Sequence, residues 1–179
     1  MLRCYNIPLS DGGINMGALK AGSAAPLFAL QGMEGKTYSL AEALERGPVL
    51  IAFFKVSCPT CQYVFPFLER LYQRFRASGI QLWAISQDDA RSSQSYAREY
   101  GVTFPILIDD YPYETSRTYG IKYVPTLFLI ASNGGIEFMG DGFAKADLLG
   151  IQRWFAKQFS ATPPPLFLPN ERVPEFKPG

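Results

Sequence analysis

Two cysteines three positions apart, Cys58 and Cys61, stand in the stretch FFKVSCPTCQ, residues 53–62. Thiols at that spacing can hold a metal, staple a loop or exchange disulfides. A structural zinc takes four ligands, usually Cys and His. The chain has 3 cysteines, one of them far off at Cys4, and 0 histidines, so zinc does not fit and no metal is expected. A disulfide closing so short a loop constrains the unfolded chain little, which makes a purely structural staple a poor use of the pair. Redox exchange accounts for the placement, as the flanking sequence shows.

The apolar run Val49–Phe54 leads into the motif, and such a run suits a strand buried on both faces. Beyond the motif Cys61, Val64, Phe65, Leu68, Leu71, Tyr72 and Phe75 fall on one helical stripe, with Gln62, Glu69, Arg70, Gln73 and Arg74 facing away. Pro66 is expected to kink that helix. Cys58 then sits at a helix N-terminus, where unpaired N–H groups and the macrodipole favour a thiolate. Cys61, one turn inward, is shielded yet within reach of the Cys58 sulfur. The exposed thiol attacks a substrate disulfide and its buried neighbour resolves the mixed disulfide. Pro59 suits the first helical turn, where its missing N–H costs nothing, and Thr60 completes the motif. Lys55 is either a cation that favours the Cys58 thiolate or a strand-end lysine whose stem lies along apolar surface. Cys4 reads as a small buried hydrophobe.

The rest of the chain alternates strands with helices. LFALQGMEGKTYSL (27–40) reads as two short strands around a glycine turn, followed by a helix to Arg46. Ile80–Ser86 is a strand, and Asp88 or Asp89 caps a helix that reaches Tyr100 and stops at Gly101. Phe104–Ile108 is a strand and Pro112–Tyr119 a short helix. Thr126–Ala131 and Ile136–Gly140 form a hairpin over Asn133-Gly134. Ala144–Phe159 is the final helix, with Leu148, Ile151, Phe155 and Phe159 inward. The class is therefore α/β with a mixed central sheet flanked by helices.

At 179 residues and 47% hydrophobic content the chain has material for one sizeable core. Its +1 formal charge is mixed along the chain, which leaves no footprint for nucleic acid or an anionic membrane surface. No apolar run approaches the ~18 residues a membrane span needs, and residues 1–20 lack the apolar core of a secretory signal. The expected address is cytoplasmic, or periplasmic if a signal was trimmed. Three regions are expected: an N-terminal extension (1–20), a body (21–160) and a proline-rich tail (161–179). Residues 163–179 hold 6 of the 14 prolines and cannot make a helix or a central strand. Leu166, Phe167, Leu168, Val173 and Phe176 give the tail an apolar side. It should strap across its own chain or exchange with a second one, giving a monomer or a tail-mediated dimer.

YGIKYVPTLFLI sets Pro125, after Val124, directly before a strand. A cis proline there could present backbone beside a reactive sulfur; an ordinary trans proline opening an edge strand is the other reading. Taken with GSAAPLFALQGMEGKTYSLAEAL, PVLIAFFKVSCPTC, Pro66 and the glycine-containing hairpin, it makes residues 20–160 resemble the thioredoxin-like superfamily. The nearest branch is the TlpA/ResA type of thiol–disulfide oxidoreductase, grouped with the AhpC/TSA "redoxin" domains. The resemblance implies a thioredoxin-like fold with an N-terminal β-hairpin and an extra strand–helix insertion before Pro125. It also implies Cys58 as nucleophile, Cys61 as resolving thiol, a cis Pro125 with Val124 at the substrate groove, and protein thiols or disulfides as partners. No cofactor is implied beyond a redox-active Cys58–Cys61 disulfide.

Three departures from that pattern stand out. A buried acid six residues before the first cysteine is replaced by Ala52. A glutamate three residues after the second is replaced by Val64, and the tryptophan before the first is Ser57. With apolar Ala52 and Val64 behind it, the Cys61 thiol is expected to titrate above the ordinary range. A thiol-dependent peroxidase is the second reading, although its proline and threonine positions are Ile51 and Lys55 here. A non-catalytic binding module using the Val124–Pro125 groove is the third.

Overall fold

The computed structural model describes residues 18–179; Cys4 and most of the expected 1–20 extension lie outside the described residues. A hairpin of β1 (Ala29–Gly32) and β2 (Thr37–Ser39) opens the body and leads into α1 (Leu40–Arg46), whose cap Ser39 accepts from the Glu42 N–H. Then come β3 (Val49–Phe54), α2 (Pro59–Phe75), a 3₁₀ turn (Arg76–Ser78), β4 (Gln81–Ser86), α3 (Ala90–Tyr100), β5 (Ile106–Ile108) and α4 (Glu114–Thr118). The chain closes with β6 (Thr126–Ile130), β7 (Ile136–Asp141), β8 (Phe143–Ala144), α5 (Lys145–Gln158) and β9 (Phe176–Lys177).

Seven strands form one mixed sheet in the order β2-β1-β5-β4-β3-β6-β7. β3 lies between β4, to which it is parallel, and β6, to which it is antiparallel. Every residue of β3 is buried, as its unbroken apolar run requires. The two-residue period of the strand divides its side chains between two cores. Leu50, Ala52 and Phe54 pack with Cys61, Val64 and Phe65 of α2, Tyr96 of α3 and Ile151 and Phe155 of α5. Val49, Ile51 and Phe53 pack on the other face with Leu40, Trp83, Tyr119 and Phe128. Each fully buried Leu, Ile or Phe contributes roughly 1.5–3 kcal/mol by leaving water, so both layers are fixed to the sheet on which the cysteine motif is mounted.

Several boundaries differ from the sequence reading. Pro66 lies inside α2, within its Pro59–Phe75 span. β5 begins at Ile106 rather than Phe104, because Pro105 has no N–H to give a ladder. α4 starts at Glu114 rather than Pro112, since Tyr113 takes a left-handed φ of 60° ahead of it. The buried Asp109 carboxylate caps this short helix, accepting from the Ser116 N–H at 2.8 Å and the Ser116 hydroxyl at 2.6 Å. α5 runs Lys145–Gln158, because Phe143–Ala144 is drawn into β8. At the β6–β7 turn, Gly134 (φ +82°) takes the left-handed position while the Asn133 side chain accepts from the Gly135 N–H.

The proline-rich segment lies on its own chain. Gln152 donates to the Pro164 carbonyl at 3.0 Å, and Arg74 to that of Pro165 at 2.6 Å. Arg70 donates to the Leu166 carbonyl at 3.2 Å and forks onto both carboxylate oxygens of Glu171, one at 2.8 Å. Leu166 is buried, and Phe167 packs edge-on to Phe67. Leu168 and Phe176, expected on the apolar side, are exposed instead. The segment makes no helix, and its one short strand pairs only with β8, outside the main sheet.

Candidate active site

The motif sits where β3 ends and α2 begins. Cys58 is the N-cap of α2 and Pro59 its first residue. The Cys58 N–H donates to the Lys55 carbonyl at 3.1 Å, and its own carbonyl accepts from the Gln62 N–H at 3.1 Å, so the turn is closed from both sides. The Cys58 sulfur accepts from the Cys61 N–H at 3.2 Å. This backbone donor, left unpaired by the helix start, is aimed at the atom that carries negative charge in a thiolate. Cys58 is half-buried and Cys61 fully buried, both as free thiols.

The Val124–Pro125 peptide is cis, and the Val124 carbonyl accepts from the Cys58 thiol at 3.2 Å. Residues expected at the groove and at the motif therefore meet, although they come from separate elements of the fold. Lys55 is exposed, and its contact with the motif is through its backbone carbonyl. Ser57 is exposed too.

Ala52 and Val64 are both fully buried. Ala52 pairs with Ala84 on β4 and Leu127 on β6, so small and apolar groups surround it. Burial, reinforced by the hydrogen bond with Cys58, pushes the Cys61 thiol well above the ordinary thiol range. That is the direction expected with apolar Ala52 and Val64 behind the thiol.

Three residues of the site escaped the sequence reading. Asp88 accepts from the Val56 N–H at 2.8 Å, and Gln62 donates to the Val56 carbonyl at 3.0 Å. Together they pin the backbone of Val56, two residues before Cys58, on both sides of its Cα. Asp89 alone caps α3, through the Ser92 N–H at 2.8 Å, which leaves its neighbour for the loop. The adjacent acids were visible in sequence, but their division of labour depends on β4 lying beside β3. The third residue is Tyr96. Its hydroxyl is buried with no hydrogen-bond partner among the described residues. Burial, and after it the nearby Cys61, raise its pKa.

Comparisons with known proteins agree with this geometry. The AhpC/TSA family model matches residues 21–139. The thiol-disulfide oxidoreductase ResA of Geobacillus thermodenitrificans is 31% identical over 121 residues, 67% of this chain and 68% of that protein. A Chlorobium tepidum structure described as a candidate thiol:disulfide interchange protein DsbE superposes with a TM-score of 0.71 at 27% identity, covering 79% of this chain and 99% of that one. The peroxidoxin BcpB of Mycobacterium tuberculosis superposes with a TM-score of 0.67 over 78% of this chain and 97% of that one; at 19% identity it shares the fold alone. A mixed seven-stranded sheet flanked by helices, with a CxxC at a helix start, is thus a thioredoxin-like redox domain, and the chain belongs to the AhpC/TSA family, among its thiol–disulfide oxidoreductases.

Proposed function

We propose that this enzyme exchanges electrons with protein disulfides and dithiols through Cys58 and Cys61. The observation that carries the reading is the convergence at one sulfur of the Cys61 N–H and the Val124 carbonyl, each at 3.2 Å from Cys58. In the reductive direction the Cys58 thiolate attacks one sulfur of a partner disulfide. The partner's S–S bond breaks, one partner thiolate leaves, and a mixed disulfide joins Cys58 to the partner. Cys61 then loses its proton and attacks the Cys58 sulfur. The second partner thiolate departs, and both electrons of the Cys58–Cys61 dithiol have passed to the partner. The oxidative direction runs the same steps backwards.

Half-buried Val124 and the buried cis Pro125 form one rim for an extended partner segment, with Pro59 and Thr60 opposite. Lys55 is the cation nearest the motif in sequence and is assigned a supporting electrostatic role. The redox unit is assigned to 21–160, with 1–20 as an extension and 161–179 as an accessory segment. No helix among the described residues is long and apolar enough to cross a membrane. The cytoplasm is the proposed compartment, with the periplasm as the address if a signal was trimmed. The protein is taken to act as a monomer, or as a dimer if the tail exchanges.

Reduction of insulin by dithiothreitol tests the reading. The wild type should accelerate it, Cys58→Ser should abolish the acceleration, and Cys61→Ser should accumulate a mixed disulfide through Cys58. A Cys58→Ser protein as active as the wild type would sink the assignment.

A further inference from the structure

Residues 175–179 lie along the rim of the cysteine site. β9 pairs antiparallel with β8, Phe176 opposite Ala144 and Lys177 opposite Phe143. The Lys145 N–H donates to the Glu175 carbonyl at 2.9 Å and extends this short ladder. Past the strand the segment meets the motif itself. The Thr60 hydroxyl, inside CPTC, donates to the Pro178 carbonyl at 2.6 Å. The Lys177 ammonium stands 4.9 Å from the centre of the Tyr63 ring, one turn along α2.

Two glycines record how closely the segment approaches the groove. A Cβ added to Gly179 would stand 3.0 Å from the Val124 carbonyl oxygen, the acceptor of the Cys58 thiol. A Cβ added to Gly142 would stand 2.5 Å from the Lys177 carbonyl and 2.9 Å from the Gly179 nitrogen. Any side chain at Gly142 would push the segment away.

We propose that residues 175–179 are an internal pseudosubstrate, held in the groove that receives the extended segment of a disulfide-bearing protein. The inference rests on the preceding reading for the identity of that groove. The segment uses the contacts such a partner would need: strand addition to β8, a carbonyl facing Thr60, and a small residue against Val124. Its own hold is light. Phe176 is 59% exposed, and the Lys145–Glu175 ion pair, at 3.4 Å, has its carboxylate side chain 82% exposed, where such pairs contribute little. The preceding stretch is held far more firmly by Arg70, Arg74, Gln152 and buried Leu166. The segment can therefore lift about Val173–Pro174 while the rest of the strap stays in place. Cys58 remains half-buried beneath it, so a small disulfide reaches the sulfur more readily than a protein does.

The test compares the full chain with a variant lacking 175–179 and with Lys177→Pro, which keeps the length but removes a β9 amide. Each is assayed with insulin, with hydroxyethyl disulfide, and by the rate of Cys58 alkylation with a bulky polyethylene-glycol maleimide. Both variants should lower the KM for insulin severalfold, leave hydroxyethyl disulfide turnover within about twofold, and raise the alkylation rate severalfold. A synthetic peptide of residues 173–179 added to the deletion variant should compete with insulin. Unchanged insulin KM and alkylation in a folded variant, or a peptide without effect, overturns the proposal; if the deletion variant fails to fold, Lys177→Pro decides alone. Should the wild type also fail to reduce insulin, the proposed function falls, while alkylation still reports whether the segment covers the groove.

Discussion

The thiol of Cys58 and the carbonyl of Val124 lie 3.2 Å apart although 66 positions separate them in sequence. A partner segment that binds at Val124 is thereby set beside the attacking sulfur. The same geometry divides the two cysteines. Cys58 is half-buried, and Cys61 is fully buried with its thiol pushed far up. Iodoacetamide at pH 7 should label Cys58 more than about tenfold faster than Cys61, as mapped by mass spectrometry of peptides. Equal labelling would contradict the assignment.

The elevated Cys61 thiol also ties stability to pH. Its folded pKa lies above its unfolded value, so the folded state holds the proton more tightly. The stabilisation is fully present below the ordinary thiol range and is lost as pH rises from that range toward the folded pKa. Urea melts of the reduced protein should show falling stability at alkaline pH, and Cys61→Ala should lack that slope.

Fully buried and apolar, Ala52 and Val64 leave no acid behind Cys61. Resolution of the mixed disulfide should be the slow step at pH 7 and should speed up with pH. Ala52→Asp should accelerate it, at a stability cost of about 1–3 kcal/mol for a buried carboxyl. Val64→Glu is the parallel variant. Rapid-quench kinetics decide the matter: fast wild-type resolution with no gain in either variant would refute it.

Asp88→Ala should cost about 1–2 kcal/mol by stranding the Val56 N–H. The loop before Cys58 should loosen as well, seen as faster hydrogen exchange at Val56 and lower insulin activity. Gln62→Ala, which releases the carbonyl of the same residue, should have a smaller effect in the same direction.

Glu171 is gripped by the Arg70 fork and by the Leu168 N–H, and its pKa is lowered to about 2. The contribution of this contact is present above the ordinary glutamate range and disappears as pH falls through about 2. Limited proteolysis with pepsin should cut near 166–172 progressively faster as pH drops across that window. Arg70→Ala should expose the same bonds even at mild acidity.

Much of the site was legible because its signals are local. An unbroken apolar strand, a cysteine pair and a helical stripe follow one another without interruption, and each has its own period. Pro125 gained meaning only beside the cysteines. What stayed hidden depends on distant partners. Asp88 and Asp89 are the same residue type side by side, and only the packing of β4 against β3 decides which one reaches Val56. Tyr96 reads as an ordinary helix-face aromatic, and nothing local shows its hydroxyl buried without a partner. The strap's apolar residues were visible, but Leu168 and Phe176 are exposed, and at Phe176 the pairing of β9 with β8 rather than apolar pattern sets the strand's direction.

The pairing of β8 with β9 stands apart from the seven-stranded sheet, and only two residue pairs form it. Opening it breaks no rung of the main ladder and uncovers no edge of that ladder. Such a patch belongs to the low end of the range of local opening free energies, far below the global unfolding of β3 or α2. Its amides should exchange with solvent deuterium long before those of the core strands. The mouth of the active site therefore has its own clock: it can open and reseat many times within a single lifetime of the folded domain.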